Sequence, residues 1–162
     1  MSAASPGDED EKERLNRKLG ELMQELRVAL PGVQVLFAFL LTLPFTGRFP
    51  KDNSLQRGTY FTAFLFAALA SAFLIAPSAY HRLRWRYTDR EELDEKRRML
   101  ITSGRLASSG IVFLGLAITA VVFLITDLMF GVPTAAGVTG AIFLVFGWLW
   151  YALPLSRRVR GR

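Results

Sequence analysis

Few side chains in this chain of 162 residues are suited to catalysis or metal binding. There is no cysteine, which excludes thiol nucleophiles, thiolate metal sites and disulfides. His81 is the single histidine, which excludes a histidine-rich metal site and argues against a histidine-based triad. The sequence also lacks a glycine-rich nucleotide loop and a pair of carboxylates within an apolar segment. We therefore predict no enzymatic activity, no metal and no cofactor.

Three polar side chains lie within or next to apolar segments and are candidates for a polar or ion path: Gln34, Asp127 and His81. Asp127 is the only acid that touches the apolar body of the sequence. It is either a proton or cation site at the outer mouth or a carboxylate in water at a helix end. Gln34 lies within an apolar segment, where it either lines a polar path or forms a structural interhelical hydrogen bond.

A basic and aromatic cluster follows the second apolar segment, in the stretch "YHRLRWRY". Arg82, Arg84 and Arg86 surround Trp85, directly after His81. One interpretation is contact with anionic lipid headgroups, or a pH-sensitive gate that uses the histidine. The other is a stop-transfer flank that anchors the end of a membrane helix.

The helices that position these residues are predicted from the way charged and apolar residues occur in separate stretches of the sequence. Hydrophobic residues form 51% of the chain and charged residues 21%, with a mean hydropathy of +0.28. Four stretches carry no charge, at about residues 28–45, 58–80, 106–126 and 134–153. A membrane-spanning helix needs about 17–25 apolar residues. We predict an all-α membrane protein whose domain, residues 28–153, is a bundle of four transmembrane helices.

Two amphipathic helices are predicted outside the spans. The first covers residues 9–27, after a disordered tail over 1–8, and is expected in the cytoplasm. Its evidence is a leucine stripe at helical spacing that begins within this segment: Leu15, Leu19, Leu22, Leu26 and Leu30. The connector over residues 81–105 carries a capping box, Thr88 with Glu91, and a second helical pattern. We expect this second helix to lie along the membrane surface. Residues 9–27 and 88–103 are together a candidate docking surface for a cytoplasmic protein.

The distribution of Lys and Arg predicts the orientation. Of 20 such residues, 17 lie in the N-terminal segment, the connector and the basic tail over residues 154–162. The other three are Arg48, Lys51 and Arg57, between the first two spans. The positive-inside rule then puts both termini in the cytoplasm, with the chain in the plasma (inner) membrane. Because the bases flank apolar segments, the net charge of +6 favours a membrane surface over nucleic acid as the partner.

Small residues four apart predict close helix packing in two spans. They are Ala63, Ala67 and Ser71 in the second span, and Ala136 and Gly140 in the fourth, with Gly147 two turns on. Such faces allow helix backbones to approach closely in lipid. The contact is either an interface between subunits, with a possible conduit, or ordinary packing within one bundle.

The stretches "RLNRKLGELMQELRVALPGVQVLFAFLLTLPF" and "APSAYHRLRWR" resemble an uncharacterised, largely actinobacterial family of short four-span integral membrane proteins. Members often carry the automatic label sodium:proton antiporter. The resemblance implies four spans, and it assigns no catalytic or binding residue. Such exchange uses an ionisable group at membrane depth, and this sequence has no acid in mid-span.

The sequence therefore predicts a small, homo-oligomeric, multi-pass membrane protein that acts as a passive or regulatory component. Two other functions stay open at this point. One is an oligomeric ion channel or proton-coupled cation transporter. The other is a membrane-anchored subunit that docks a cytoplasmic partner. The expected non-protein partner is the bilayer, with anionic lipids at the basic cluster.

Overall fold

The computed structural model describes residues 6–47, 49, 53–84 and 92–148, and the regular elements within them are all helical. Four α-helices follow one another along these residues: α1 Pro6–Thr42, α2 Ser54–Arg84, α3 Glu92–Phe130 and α4 Val132–Gly147. A short 3₁₀ helix, Leu43–Phe45, follows α1. The all-α class is confirmed, and the described parts of the four predicted spans lie on four successive helices, with residues 149–153 of the last span outside the described residues.

The amphipathic segments predicted from the sequence are not separate helices. Residues 9–27 and the first apolar segment both belong to α1, which continues through Pro31. The described part of the connector from Glu92 onward and the third apolar segment both belong to α3. A change from charged to apolar side chains does not interrupt the backbone hydrogen bonds of a helix, so the helix need not end there. The connector helix, from Glu92, is thus the start of α3 rather than a separate surface helix.

Three stretches are long and apolar enough to cross a membrane. They are Glu13–Phe45, Ser54–Ala79 and Leu100–Phe130. Many of their large apolar side chains face outward, such as Val35 and Phe61. A protein in water rarely leaves so much apolar surface exposed, whereas lipid accepts it. The helix Val132–Gly147 is apolar but shorter.

Each of the three longer helices has a buried stripe whose residues are three, four or seven positions apart. In α1, the residues under 9% exposed are Leu15, Leu19, Leu26, Val33 and Leu40. In α2, they are Ala63, Ala67, Ala70, Leu74 and Pro77. In α3, they include Ser103, Ala107, Gly110, Ala117, Val121 and Leu124. A repeat that averages 3.5 residues per turn is typical of helices packed nearly parallel to their neighbours.

The chain divides into two compact units. The first comprises Met1–Val35 and Ala68–Val112. Within it, Gly110 of α3 lies against Leu74 of α2, so closely that a Cβ atom at Gly110 would stand 2.7 Å from Leu74 Cγ. The absence of a side chain at Gly110 is therefore what permits this approach.

The second unit comprises Leu36–Ala67 and Phe113–Arg162. Its core is a cluster of five buried residues from three helices: Leu40, Ala63, Ala67, Ala117 and Val121. Aromatic rings pack around this core, and Phe37 stacks on Phe64 with ring centroids 5.1 Å apart. Alanines at the centre leave room for large side chains from the neighbouring helices.

The predicted small-residue faces have different surroundings in α2 and α4. Ala63 and Ala67 are fully buried, and Ser71 is half-buried because the stripe continues through Ala70 instead. Positions four apart advance by about 40° around a helix at each step, so a strict four-residue series leaves the contact face.

In α4, Ala136 and Gly140 are exposed and Gly147 is half-buried, whereas Ala135 is buried. Ala136 and Gly140 therefore lie on the exposed side of α4 rather than on its buried side.

Candidate functional site

A buried carboxylate paired with an amide is the clearest polar feature of the second unit. Gln56 Nε2 of α2 donates a hydrogen bond of 2.9 Å to Asp127 Oδ2 of α3. Asp127 is only 7% exposed. A carboxylate removed from water is costly unless hydrogen bonds replace its hydration, and the Gln56 amide supplies one of them.

Helix ends position both members of this pair. Asn53 precedes α2, and its side-chain oxygen accepts hydrogen bonds from the backbone N–H groups of Leu55 and Gln56, at 3.0 and 3.4 Å. This is the N-cap arrangement that starts a helix, and it fixes Gln56 in the first turn. Asp127 lies in the last turn of α3, where its carbonyl accepts from the N–H of Gly131 at 3.0 Å.

Gly131 allows α3 to continue beyond Asp127, because it makes the connection to α4 with a single residue. Gly131 has a φ of 85°, a conformation that residues with a Cβ rarely adopt, and α4 begins at the next residue. One residue therefore separates α3 from α4. Asp127 is at a helix end, as one interpretation predicted, but its carboxylate is buried and not in water.

The electrostatics of the pair depend on both helix ends. The carboxylate of Asp127 lies near the C-terminus of α3, whose partial negative charge disfavours it. Gln56 lies at the N-terminus of α2, whose partial positive charge favours an anion nearby. The pair can therefore hold two helices together, with its carboxylate near the end of a membrane-length helix.

A tyrosine hydroxyl forms a second polar link in the same unit. Tyr60 donates a hydrogen bond of 2.9 Å to the backbone carbonyl of Leu40. In an α-helix this carbonyl would accept from the N–H four residues on, but that residue is Pro44, which has none. The ring of Tyr60 also stacks near Phe64 and meets Phe49 edge-on, with centroids 6.3 and 5.0 Å away.

An open groove of about 570 Å³ lies in the first unit. It lies between residues 10–18 of α1 and residues 97–101 of α3. These belong to two charged helical segments, residues 6–27 and 92–105, which we call the charged helix pair. Glu11 and Arg97 form an ion pair across it, with 3.9 Å between Oε1 and Nη2. The groove is lined by acids, bases and apolar residues: Asp10, Glu11, Arg14, Leu15, Lys18, Arg97, Leu100 and Ile101.

The other residues singled out in the sequence are not brought to either feature. Gln34 is exposed on α1. His81, Arg82 and Arg84 belong to the last turn of α2, and the positions of their side chains lie outside the described part of the structure. Trp85 and Arg86 lie outside the described residues altogether. Within the described residues, no group of three or more acidic or histidine side chains is placed to hold a metal ion.

Gln56 and Tyr60 were not singled out from the sequence. A signal for Tyr60 was available, because Pro44 removes a helical donor and a nearby hydroxyl is a natural replacement. Gln56 carried no such signal. It comes just before an apolar segment, where a glutamine is expected to be an ordinary solvated residue. Its hydrogen-bond partner, Asp127, is 71 positions away in the sequence.

Comparison with known proteins gives a family without an activity. The family model of DUF6328, described as a family of unknown function, matches residues 8–154. No curated protein and no solved structure matches the chain. The chain therefore belongs to the DUF6328 family, in agreement with the resemblance to an uncharacterised family.

Proposed function

We propose that this member of the DUF6328 family is a small four-span integral membrane protein that acts as a regulatory component by docking a cytoplasmic partner. The observation that carries the proposal is the charged helix pair, in which two membrane-length helices continue beyond their apolar segments. Residues 6–27 extend α1 by about 33 Å, and residues 92–105 extend α3 by about 21 Å. The action proposed is binding, not catalysis.

Four spans with both termini in the cytoplasm are supported by helix length and charge. Three stretches have the required length and hydropathy. The 16 described residues of α4 rise about 24 Å, and the uncharged sequence continues to residue 153. An even number of spans puts the charged helix pair, the connector and the tail on the side that holds 17 of the 20 Lys and Arg residues.

The charged helix pair has a packed apolar side and an exposed charged side. Leu15, Leu19 and Leu26 are each under 9% exposed, so the apolar stripe of α1 is already satisfied within the chain. The groove is lined by three bases, two acids and the apolar residues Leu15, Leu100 and Ile101, of which Ile101 is exposed. This combination fits an amphipathic segment of net negative charge from a cytoplasmic protein.

The bilayer is the other proposed partner. Arg82, Arg84 and Arg86 follow the apolar part of α2 and would meet the cytoplasmic headgroups. Basic residues at this depth attract anionic lipid by about 1 kcal/mol each. The groove is too far from the apolar segment for this role, because Arg14 precedes Val28 by 14 residues, or about 21 Å of helix.

Site-specific photocrosslinking in cell membranes tests the docking. A photoreactive residue in place of Ile101, which is 51% exposed in the groove, should give one discrete adduct with a cytoplasmic protein. Reversal of the three groove bases, by Arg14→Glu, Lys18→Glu and Arg97→Glu, should abolish that adduct. Arg17→Glu is the matched control, since Arg17 is exposed on α1 but does not line the groove. An adduct that survives the triple reversal, or no adduct at all, contradicts the proposal.

Ion or proton transport is the second candidate, favoured by the buried Asp127–Gln56 pair inside a membrane-length helix. The test is flux through purified protein in liposomes, with an internal pH dye and imposed sodium, potassium or chloride gradients. If ions pass this pair, the wild-type protein should give flux and Asp127→Asn should abolish it. Asp10→Asn, which changes an exposed acid, should leave the flux unchanged. Absence of flux in vesicles that hold folded protein argues against it.

A further inference from the structure

Gln34 is a polar side chain on the outside of a membrane-length helix. It lies in α1 within the candidate span Glu13–Phe45, seven residues beyond the last charge, Arg27. Its side chain is exposed, and it has no hydrogen-bond partner among the described residues. The neighbouring residue Val33 is fully buried, so Gln34 points away from the packed side of α1.

This position is unfavourable for a single copy in a membrane. The carboxamide has two N–H donors and an oxygen acceptor, and lipid tails satisfy neither. Arg27 to Gln34 spans about 10 Å along the helix axis, which takes the carboxamide below the headgroups. A partner that covers Gln34 must therefore offer both a donor and an acceptor at the same depth.

The surface around Gln34 permits close approach by another helix. Ala38 lies one turn further on and is exposed, and its side chain is a single methyl group. Pro31, one turn earlier, is also exposed, and Leu41 completes the face at 46% exposed. Small residues next to a polar residue are the combination found where membrane helices pack against one another.

We propose that Gln34 lies at a contact between the α1 helices of two copies of this chain. In a parallel pair related by a two-fold axis, each residue meets its own counterpart at the same depth. Each Gln34 then donates an N–H to the carboxamide oxygen of the partner's Gln34 and accepts one in return. This inference rests on the proposed membrane insertion, because only lipid makes the exposed carboxamide unfavourable.

Disulfide crosslinking is a direct test, because the chain has no cysteine of its own. Gln34→Cys and Ala38→Cys, made separately and oxidised in native membranes, should each give a covalent dimer. Phe39→Cys is the control: Phe39 is 42% exposed and next to Ala38, but about 140° around the helix from Gln34. It should stay monomeric. Equal crosslinking at all three positions, or none, overturns the proposal.

Alkaline carbonate extraction of the same membranes separates the two possible failures. Protein that resists extraction but does not crosslink refutes the contact and leaves the membrane proposal intact. Protein that is extracted refutes insertion, and the inference with it. A second measurement is dimerisation in liposomes by energy transfer between labelled copies. Gln34→Leu should weaken dimerisation about 3- to 30-fold, and Gln34→Asn, which keeps the carboxamide, should retain most of it. Unchanged dimerisation in Gln34→Leu overturns the proposal.

Discussion

At the scale of single residues, two hydrogen bonds between helices satisfy polar groups that have lost their usual partner. One group is a backbone carbonyl without its helical donor, and the other is a carboxylate without water. Pro44 takes away the N–H that would close the last turn of α1, and the hydroxyl of Tyr60 binds the freed Leu40 carbonyl. Burial takes water away from Asp127, and the Gln56 amide binds its carboxylate. Both bonds join residues distant in sequence, 20 and 71 positions apart, so a local pattern can at most indicate that a partner is needed and not which residue supplies it.

Tyr60→Phe should lower the free energy of unfolding by about 1 kcal/mol, because the Leu40 carbonyl then has no donor. Thermal unfolding in detergent measures the change. Pro44→Ala is the matched background, since it restores an N–H that can close the α-helical bond to Leu40. In that background Tyr60→Phe should cost clearly less. An equal cost in both backgrounds would show that the hydroxyl acts in some other way.

Gln56→Ala should destabilise the protein by about 1–3 kcal/mol, because a buried carboxylate loses its amide donor. The double variant with Asp127→Ala should cost less than the sum of the two single changes, with a coupling of about 0.5–3 kcal/mol. Arg57→Ala, at the next and exposed position, serves as the control and should have little effect. Strictly additive effects would mean that the hydrogen bond contributes nothing to stability.

At the scale of elements, the buried stripes follow a repeat of about 3.5 residues along each of the three longer helices. The leucines of the stripe predicted in α1 are buried or half-buried, as their spacing indicated. The stripe continues through Val33 and Leu40 into the apolar half, where most neighbours are apolar too and the pattern cannot be read from the sequence. A helix with apolar residues all round shows no contrast between its packed side and its lipid side.

Gly110→Ala tests the close approach of α2 and α3 in the first unit. The added Cβ would lie 2.7 Å from Leu74 Cγ and 3.2 Å from Leu74 N, so the backbone of α2 or the leucine must move. We expect a loss of about 1–3 kcal/mol, measured as a lower melting temperature in detergent. Gly104→Ala is the control on the same helix. Nothing lies within 4 Å of its Cβ, so the higher helix propensity of alanine should make it neutral or stabilising. Equal effects at both positions would contradict the contact.

At the scale of the whole molecule, the distribution of charge is the strongest guide to orientation. The 17 Lys and Arg residues on one side against three on the other predict cytoplasmic termini. Exposed apolar side chains along membrane-length helices agree with insertion, since water would penalise them. The family model matches residues 8–154, so the apolar helices and most of the basic residues lie within the region that defines the family.

Replacement of Arg82, Arg84 and Arg86 by glutamine should reduce the fraction of chains in the predicted orientation and the affinity for anionic liposomes. The reason is that these three residues form a dense basic flank at the end of a span. Reporter fusions at each terminus and vesicle flotation measure the two effects. The same replacement at Arg48, Lys51 and Arg57 is the control, and it should strengthen the orientation. No change in either property after the first replacement would show that the cluster has neither role.

The sequence by itself determined the helical class, the apolar segments, the leucine stripe and the family. These depend on composition and on spacing within one helix, which the order of residues contains. Only the tertiary structure decided that Asp127 is buried against Gln56, that Tyr60 donates a hydrogen bond to the Leu40 carbonyl, and that Gln34 is exposed. The physical reason is that each of these depends on which side of a helix meets another helix. Where nearly every side chain is apolar, the sequence carries too little contrast to specify that side.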